Sequence, residues 1–316
     1  MKTWLKTVGA AVAFAITATA SVAADWTPPG PIKMMIGFRA GGGADTQARL
    51  IAEELEKRLG WEIIPEQVTG KGGLNLAAAL KDAPADGTVI GMAVTETFGY
   101  NMAAADAGMT PADFSGITTT AGFQMGVVSL SSKGWRTMSD VIDAAKAGEA
   151  LRFGAMSPRL ADLAYLLGKA QGVEFNIVEV RGGKAVMDGV NAGDMDLGFM
   201  AGIQAKGVAA GDLVNLASAL SVPLNQTPDA PTFADLGVAF NSDGQFMFAG
   251  PAGMPAEAVE VMASAVAEIV SDAETGAGAL IARAFGGPSI VAGDDLQTQL
   301  AASYEAAGAL LEAASE

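Results

Sequence analysis

The chain is predicted to form two α/β lobes, each a mostly parallel sheet flanked by helices. Three observations predict it: strand–loop–helix units recur along the chain, the alternation breaks once near residues 114–131 and then resumes, and 316 residues suffice for two cores.

The N-terminus comes first. Lys2 and Lys6, an apolar run of small residues from Val8 to Ala18, and Ser21-Val22-Ala23-Ala24 before Asp25 have the pattern of a secretory signal peptide over residues 1–24. Its apolar core is too short to span a bilayer, and no cysteine follows to carry a lipid. A soluble, exported mature chain with no lipid anchor is expected.

The first unit is the most informative. The apolar run IKMMIGF reads as a strand, Arg39-Ala40-Gly41-Gly42-Gly43 as a turn, and TQARLIAEELEKRLG as a helix. Asp45 is expected to cap that helix at its start near Thr46, and Gly60 to stop it. Three glycines permit positive φ and bare N–H groups, and a helix N-terminus adds unpaired donors, so the unit suits an anion. A tight turn without ligand is the alternative. The nucleotide fingerprints fail: Thr46 stands where a dinucleotide loop beginning at Gly41 needs glycine, and no G-K-[ST] occurs.

The series continues with a strand at 62–65, the loop Gly70-Lys71-Gly72-Gly73, the helical LNLAAALKDA and a strand at 88–94. Residues 114–131, rich in small and β-branched side chains, read as a less regular crossing between lobes. A helix follows at 138–147 with Thr137 as a possible cap, then strand 151–154, helix 160–168, strand 176–180, helix 184–191 and strand 196–199. The proline-rich 223–231 breaks this second series, and 244–250 reads as a strand returning to the first lobe. A long helix at 255–272 carries Val259, Met262, Val266 and Ile269 on one apolar face. The expected first lobe is 25–122 plus 240–316, and the second 123–239.

Composition narrows function. Losing Lys2 and Lys6 with the leader makes the mature chain two units more negative than −16, which argues against nucleic acid and anionic membranes as partners. Neither cysteine nor histidine occurs, so disulfides, thiolate nucleophiles, histidine-based triads and common zinc sets are excluded. The 15 methionines read as packing rather than a metal box. No cofactor is expected, and a binding protein rather than an enzyme; an exported enzyme acting on a carboxylate is the remote alternative.

Five ordered segments carry a resemblance: PIKMMIGFRAGGGADTQARLIAEELEKRLG, EQVTGKGGLNLAAALKDAPADGTVIGM, VEVRGGKAVMDGVNAGDMDLGFM, TPDAPTFADLGV and FAGPAGMPAEAVEVM. Together they resemble the periplasmic solute receptors of tripartite tricarboxylate transporters, the Bug family. The resemblance implies a type II-like periplasmic-binding-protein fold, with crossing strands as hinge and a ligand cleft between lobes. It implies a small organic carboxylate held largely by backbone N–H groups and handed to a two-component membrane permease. Matching positions for ligand contact are Phe38, Gly41, Gly42, Gly43 and Asp45 in the first loop, Gly72, Gly73 and Asn75 in the second, and Ser157, Arg181, Gly182 and Gly183 in the second lobe. A receptor for a sensory histidine kinase, or for an amino acid or other zwitterion, is the alternative of the same fold.

Departures bear on the ligand. Arg39-Ala40 replaces the family's usual two prolines, and Ala155-Met156-Ser157-Pro158-Arg159-Leu160-Ala161 replaces a Ser/Gly-rich loop ending in His-Leu. Arg39, Lys71, Arg159, Arg181 and Lys184 all follow predicted strand ends, the edge where open α/β sheets bind ligands. Arg39 is a candidate for a second anionic group, or else is solvent-exposed or paired with Glu96 or Asp45. Thr95 and Glu96 follow the third strand. Glu96 is expected to pair with Arg39 or Lys71; facing the cleft unpaired, it would disfavour polycarboxylates and favour a zwitterion.

Overall fold

A computed structural model describes residues 26–315; the expected leader, 1–24, lies outside them. In the first sheet β1 (Ile32–Ile36) pairs in parallel with β2 (Ile63–Gln67) and β3 (Val89–Val94). β10 (Gln245–Pro251) runs antiparallel between β3 and β4 (Phe114–Gly122), so the order is β2-β1-β3-β10-β4. The second sheet repeats the plan: β6 (Arg152–Ala155) is parallel to β7 (Asn176–Glu179) and β8 (Leu197–Met200), and β5 (Gly126–Leu130) runs antiparallel between β8 and β9 (Leu213–Ser218). Its order is β7-β6-β8-β5-β9. In both, the odd strand is the one by which the chain arrives from the other sheet.

Residues 114–131 are therefore not irregular. They form β4 and β5, consecutive strands in different sheets. Nearly every residue of both is buried, so the polar–apolar alternation that marks a half-exposed strand is missing. The crossing segments run side by side, Phe123 N–H donating to Gly244 C=O at 2.9 Å and Ala219 N–H to Met125 C=O at 2.9 Å.

On one face of the first sheet lies α1 (Gly43–Leu59), and on the other α2 (Leu74–Lys81), α3 (Thr95–Phe98) and α4 (Tyr100–Ala104). The second sheet is covered by α5 (Met138–Lys146) and α6 (Pro158–Gln171) on one face, and by α7 (Gly183–Ala192) and α8 (Ala205–Ala210) on the other. Thr137 caps α5 as expected, in a reciprocal box with Asp140. Three C-terminal helices return to the first sheet: α9 (Ala256–Ser271) and α10 (Gly276–Phe285) beside α1, and α11 (Gly293–Ser315) opposite. On α9, Met262, Val266 and Ile269 are buried and Val259 half-buried. One apolar cluster runs through both lobes by way of Phe123, Met125 and Phe246, while each sheet keeps a separate cluster on its far face. Among the described residues no helix is long and apolar enough to cross a membrane.

Candidate functional site

The C-terminal ends of β1, β2 and β3 meet those of β6 and β7 across a cleft. After β1 the chain turns through Gly41 at φ 77°, and α1 begins at Gly43 with Gly42 as N-cap and no side chain closing it. Asp45 is not the cap expected of it. It lies inside the first turn and reaches back, accepting from Gly41 N–H at 2.8 Å and from Arg49 Nε at 2.9 Å, with Gln67 Nε2 a third donor. At 3 % exposure it is a brace behind the loop. The open first-turn N–H groups of α1 thus face the cleft with the positive end of the helix dipole.

The second loop is tighter. Gly70, Lys71, Gly72 and Gly73 all have positive φ (122°, 49°, 62° and 94°), and the loop closes on itself where Gly73 N–H donates to Gly70 C=O at 3.0 Å. Gly72 C=O accepts from Thr97 Oγ1 at 2.8 Å and Asn101 Nδ2 at 3.0 Å, which pins the loop onto α3 and α4. A Cβ on Gly73 would lie 2.4 Å from Thr97 Oγ1, so only glycine fits.

From the second lobe, Ser157 caps α6 by accepting from Leu160 N–H at 3.4 Å, and α7 opens at Gly183 with no side-chain cap after Gly182 at φ 84°. A Cβ on Gly182 would sit 3.9 Å from the Phe38 ring, so the lobes meet there.

These elements enclose two connected spaces. The inner one, about 700 Å³ including its mouth, is lined by Phe38, Arg39, Gly42, Gly43, Gly72, Glu96, Ser157, Gly182 and Gly183, with an apolar wall of Phe123, Met125, Leu160, Ile203, Phe246 and Phe285. The outer one, about 1150 Å³, adds Lys71, Gly73, Glu179 and Arg181. Of the expected contacts, Gly41, Asp45, Asn75 and Thr95 line neither. Gly41 and Asp45 bond each other, Asn75 Nδ2 donates to Thr69 C=O at 2.9 Å, and buried Thr95 accepts from Gln245 N–H at 3.1 Å. All four hold the wall from behind.

The charged expectations divide. Glu96 lines the inner space at 4 % exposure, and among the described residues it has neither a hydrogen-bond nor an ion-pair partner, so the expected pairing with Arg39 or Lys71 is not formed. Arg39 is exposed and equally unpaired, Asp45 being taken by Arg49. Lys184 pairs with Asp188, one turn along α7. Arg159 lines neither space: it donates to Asn241 C=O at 2.6 Å and lies 6.0 Å over the Tyr100 ring. Beside it the Tyr100 hydroxyl, on α4, donates to Asp162, on α6. Burial raises both groups above their ordinary pKa; the bond to Asp162 lifts Tyr100 further, whereas Tyr100 pulls Asp162 back down.

The aromatic wall escaped the sequence reading. Phe123 and Phe246 stack edge to face at 5.2 Å, and Phe246 and Phe285 at 5.0 Å. Phe123 and Phe246 flank the two crossings, a position that could have marked them as cleft residues; Phe285, at the end of α10, carried no signal.

A family model described as tripartite tricarboxylate transporter family receptor matches residues 47–280. The chain belongs to that family. The matched span takes in the second loop, both crossings and the second-lobe loops, and begins just after the first glycine loop. A UPF0065 protein of Cupriavidus necator is 26 % identical over 246 residues, covering 76 % of this chain and 75 % of that one. Among solved structures, Rpa4515 of R. palustris with adipate superposes with a TM-score of 0.78 at 22 % identity, over 92 % of this chain and 99 % of that one. MatC of Rhodopseudomonas palustris with bound malate gives 0.77 at 18 %, over 90 % and 100 %. Family and superposition agree on the two-lobed periplasmic-binding-protein fold, the fold expected from sequence.

Proposed function

We propose that this receptor is exported to the periplasm, captures a small organic carboxylate between lobes formed by residues 25–122 plus 240–316 and residues 123–239, and delivers it to a two-component membrane permease. The observation that carries the reading is the convergence of uncapped helix starts at Gly43 and Gly183 and the positive-φ loop 70–73 on one cavity between the sheets. Backbone donors at the edge of a largely apolar space hold an anion more strongly than they would in water. Among the described residues Ser157, the hydroxyl of that wall, hydrogen-bonds to no base, which favours binding over chemistry. Adipate and malate in relatives of the same fold support the ligand class.

The test is a thermal-shift screen of mature protein, refolded to strip carried-over ligand, against mono-, di- and tricarboxylates, aromatic acids and amino acids. A ligand at about 100 times its Kd adds about 2.7 kcal/mol, or at least roughly 2 °C for a chain of this size. A selective shift is the expected result, and silence across the panel overturns the reading.

A further inference from the structure

The inner space joins two features that a receptor for simple carboxylates does not require together. One is Glu96, almost fully buried and without a protein partner among the described residues. The other is the apolar wall of Phe123, Met125, Phe246 and Phe285 around it. A carboxylate in such surroundings is costly unless a cation or hydrogen-bond donors meet it, and a second carboxylate brought beside it would add repulsion.

We propose, on the basis of the carboxylate-receptor reading, that the ligand is an α-amino acid with an apolar side chain, and that Glu96 selects it by pairing with the ammonium group. Position supports the α arrangement. Glu96 directly precedes Thr97, whose hydroxyl holds the Gly72 carbonyl at 2.8 Å, so the carboxylate cradle and the acid share one corner of the cavity. An ammonium one carbon from a cradled carboxylate then falls next to Glu96, and the side chain is left to the aromatic wall.

The experiment compares binding of leucine and phenylalanine with their deaminated counterparts, 4-methylpentanoate and 3-phenylpropionate, and with their methyl esters, by calorimetry on stripped protein. At least one amino acid is expected to bind about tenfold or more tightly than its deaminated partner. Glu96→Gln should shrink that ratio to within about threefold without weakening the deaminated acid, and Glu96→Asp, which keeps the charge, should retain part of it. Equal binding of acid and amino acid, or a ratio that survives Glu96→Gln, overturns the role of Glu96 while leaving the carboxylate receptor standing. An ester as good as the free amino acid overturns the carboxylate reading instead. No binding by any of them overturns the amino-acid proposal and leaves the carboxylate receptor to be decided by the wider screen.

Discussion

The two sheets share one topology, yet they are reinforced at opposite edges. In the first lobe the buried polar groups stand at the ligand edge: Asp45 ties Gly41, Arg49 and Gln67 behind loop one, and Thr97 with Asn101 fixes loop two. In the second lobe the corresponding network is at the far edge, where Asp196 accepts from Lys133 at 2.6 Å and from Arg152 Nε at 3.0 Å before β8 begins. Its ligand edge has the Ser157 cap, the uncapped turn at Gly182, and one buried amide after β8, Gln204, which accepts from Gly202 N–H at 2.7 Å and donates to Gln124 C=O at 2.9 Å. Identical strand orders can thus be braced differently: loop two of the first lobe, the proposed cradle, is pinned from behind, whereas the Gly182 turn of the second, the proposed lid, has no side-chain cap.

The hardest blow to that contrast is a paired glycine exchange. Gly73→Ala combines positive φ with a steric clash and should cost about 3 kcal/mol of stability in urea denaturation, along with ligand binding. Gly182→Ala, at φ 84° and ψ 159° in a region that essentially only glycine adopts but with its nearest neighbour, the Phe38 ring, at an ordinary 3.9 Å contact, should cost about 2 kcal/mol through the backbone alone. Equal losses would erase the distinction between cradle and lid.

The two buried aspartates sharpen it. Asp45→Asn and Asp196→Asn should each lose about 2 kcal/mol at neutral pH, since each breaks charged hydrogen bonds, but only Asp45→Asn should weaken ligand binding. Burial acts to raise the Asp196 pKa, and its bonds to Arg152 and Lys133 override that and hold it well below the usual carboxylate range. Its contribution is therefore present above the unfolded value and lost as pH falls through the lowered one. An acid denaturation curve that Asp196→Asn leaves unchanged would count against the far-edge brace.

Between the lobes, Asp162 has the opposite sign. Its raised pKa means that folding favours the protonated form, so stability declines as pH rises from the ordinary carboxylate value through the raised one. Asp162→Asn should flatten that slope, an effect below about 1 kcal/mol for a half-buried group, measurable in a pH series of denaturation midpoints. The smallest effect is Arg39→Ala: exposed and unpaired, it should alter the association rate by less than about threefold, and less still at high salt.

How far the sequence reached follows the same division. The parallel units were legible because loop glycines punctuate apolar runs at regular spacing, and the returning strand because GQFMFAG stands alone after a proline-rich break. The β4–β5 crossing was not, since burial on both faces removes alternation. In the first loop the turn into α1 was legible from its glycines, two of which, Gly42 and Gly43, line the inner space, whereas Asp45 was misplaced: a carboxylate in the first helical turn has the same local spacing whether it caps from outside or reaches back from inside. The fate of Arg159 and the isolation of Glu96 depend on contacts from distant segments, which no local pattern encodes.

The central place of β10 governs how the molecule is built. Chains emerge from the ribosome N-terminus first. The second sheet is complete in strands once Ser218 has emerged, whereas the first must hold a gap between β3 and β4 until Gln245–Pro251 arrives. The lobe that is made first is finished last, and its two unfilled inner edges are the surfaces a nascent chain must shield from its neighbours.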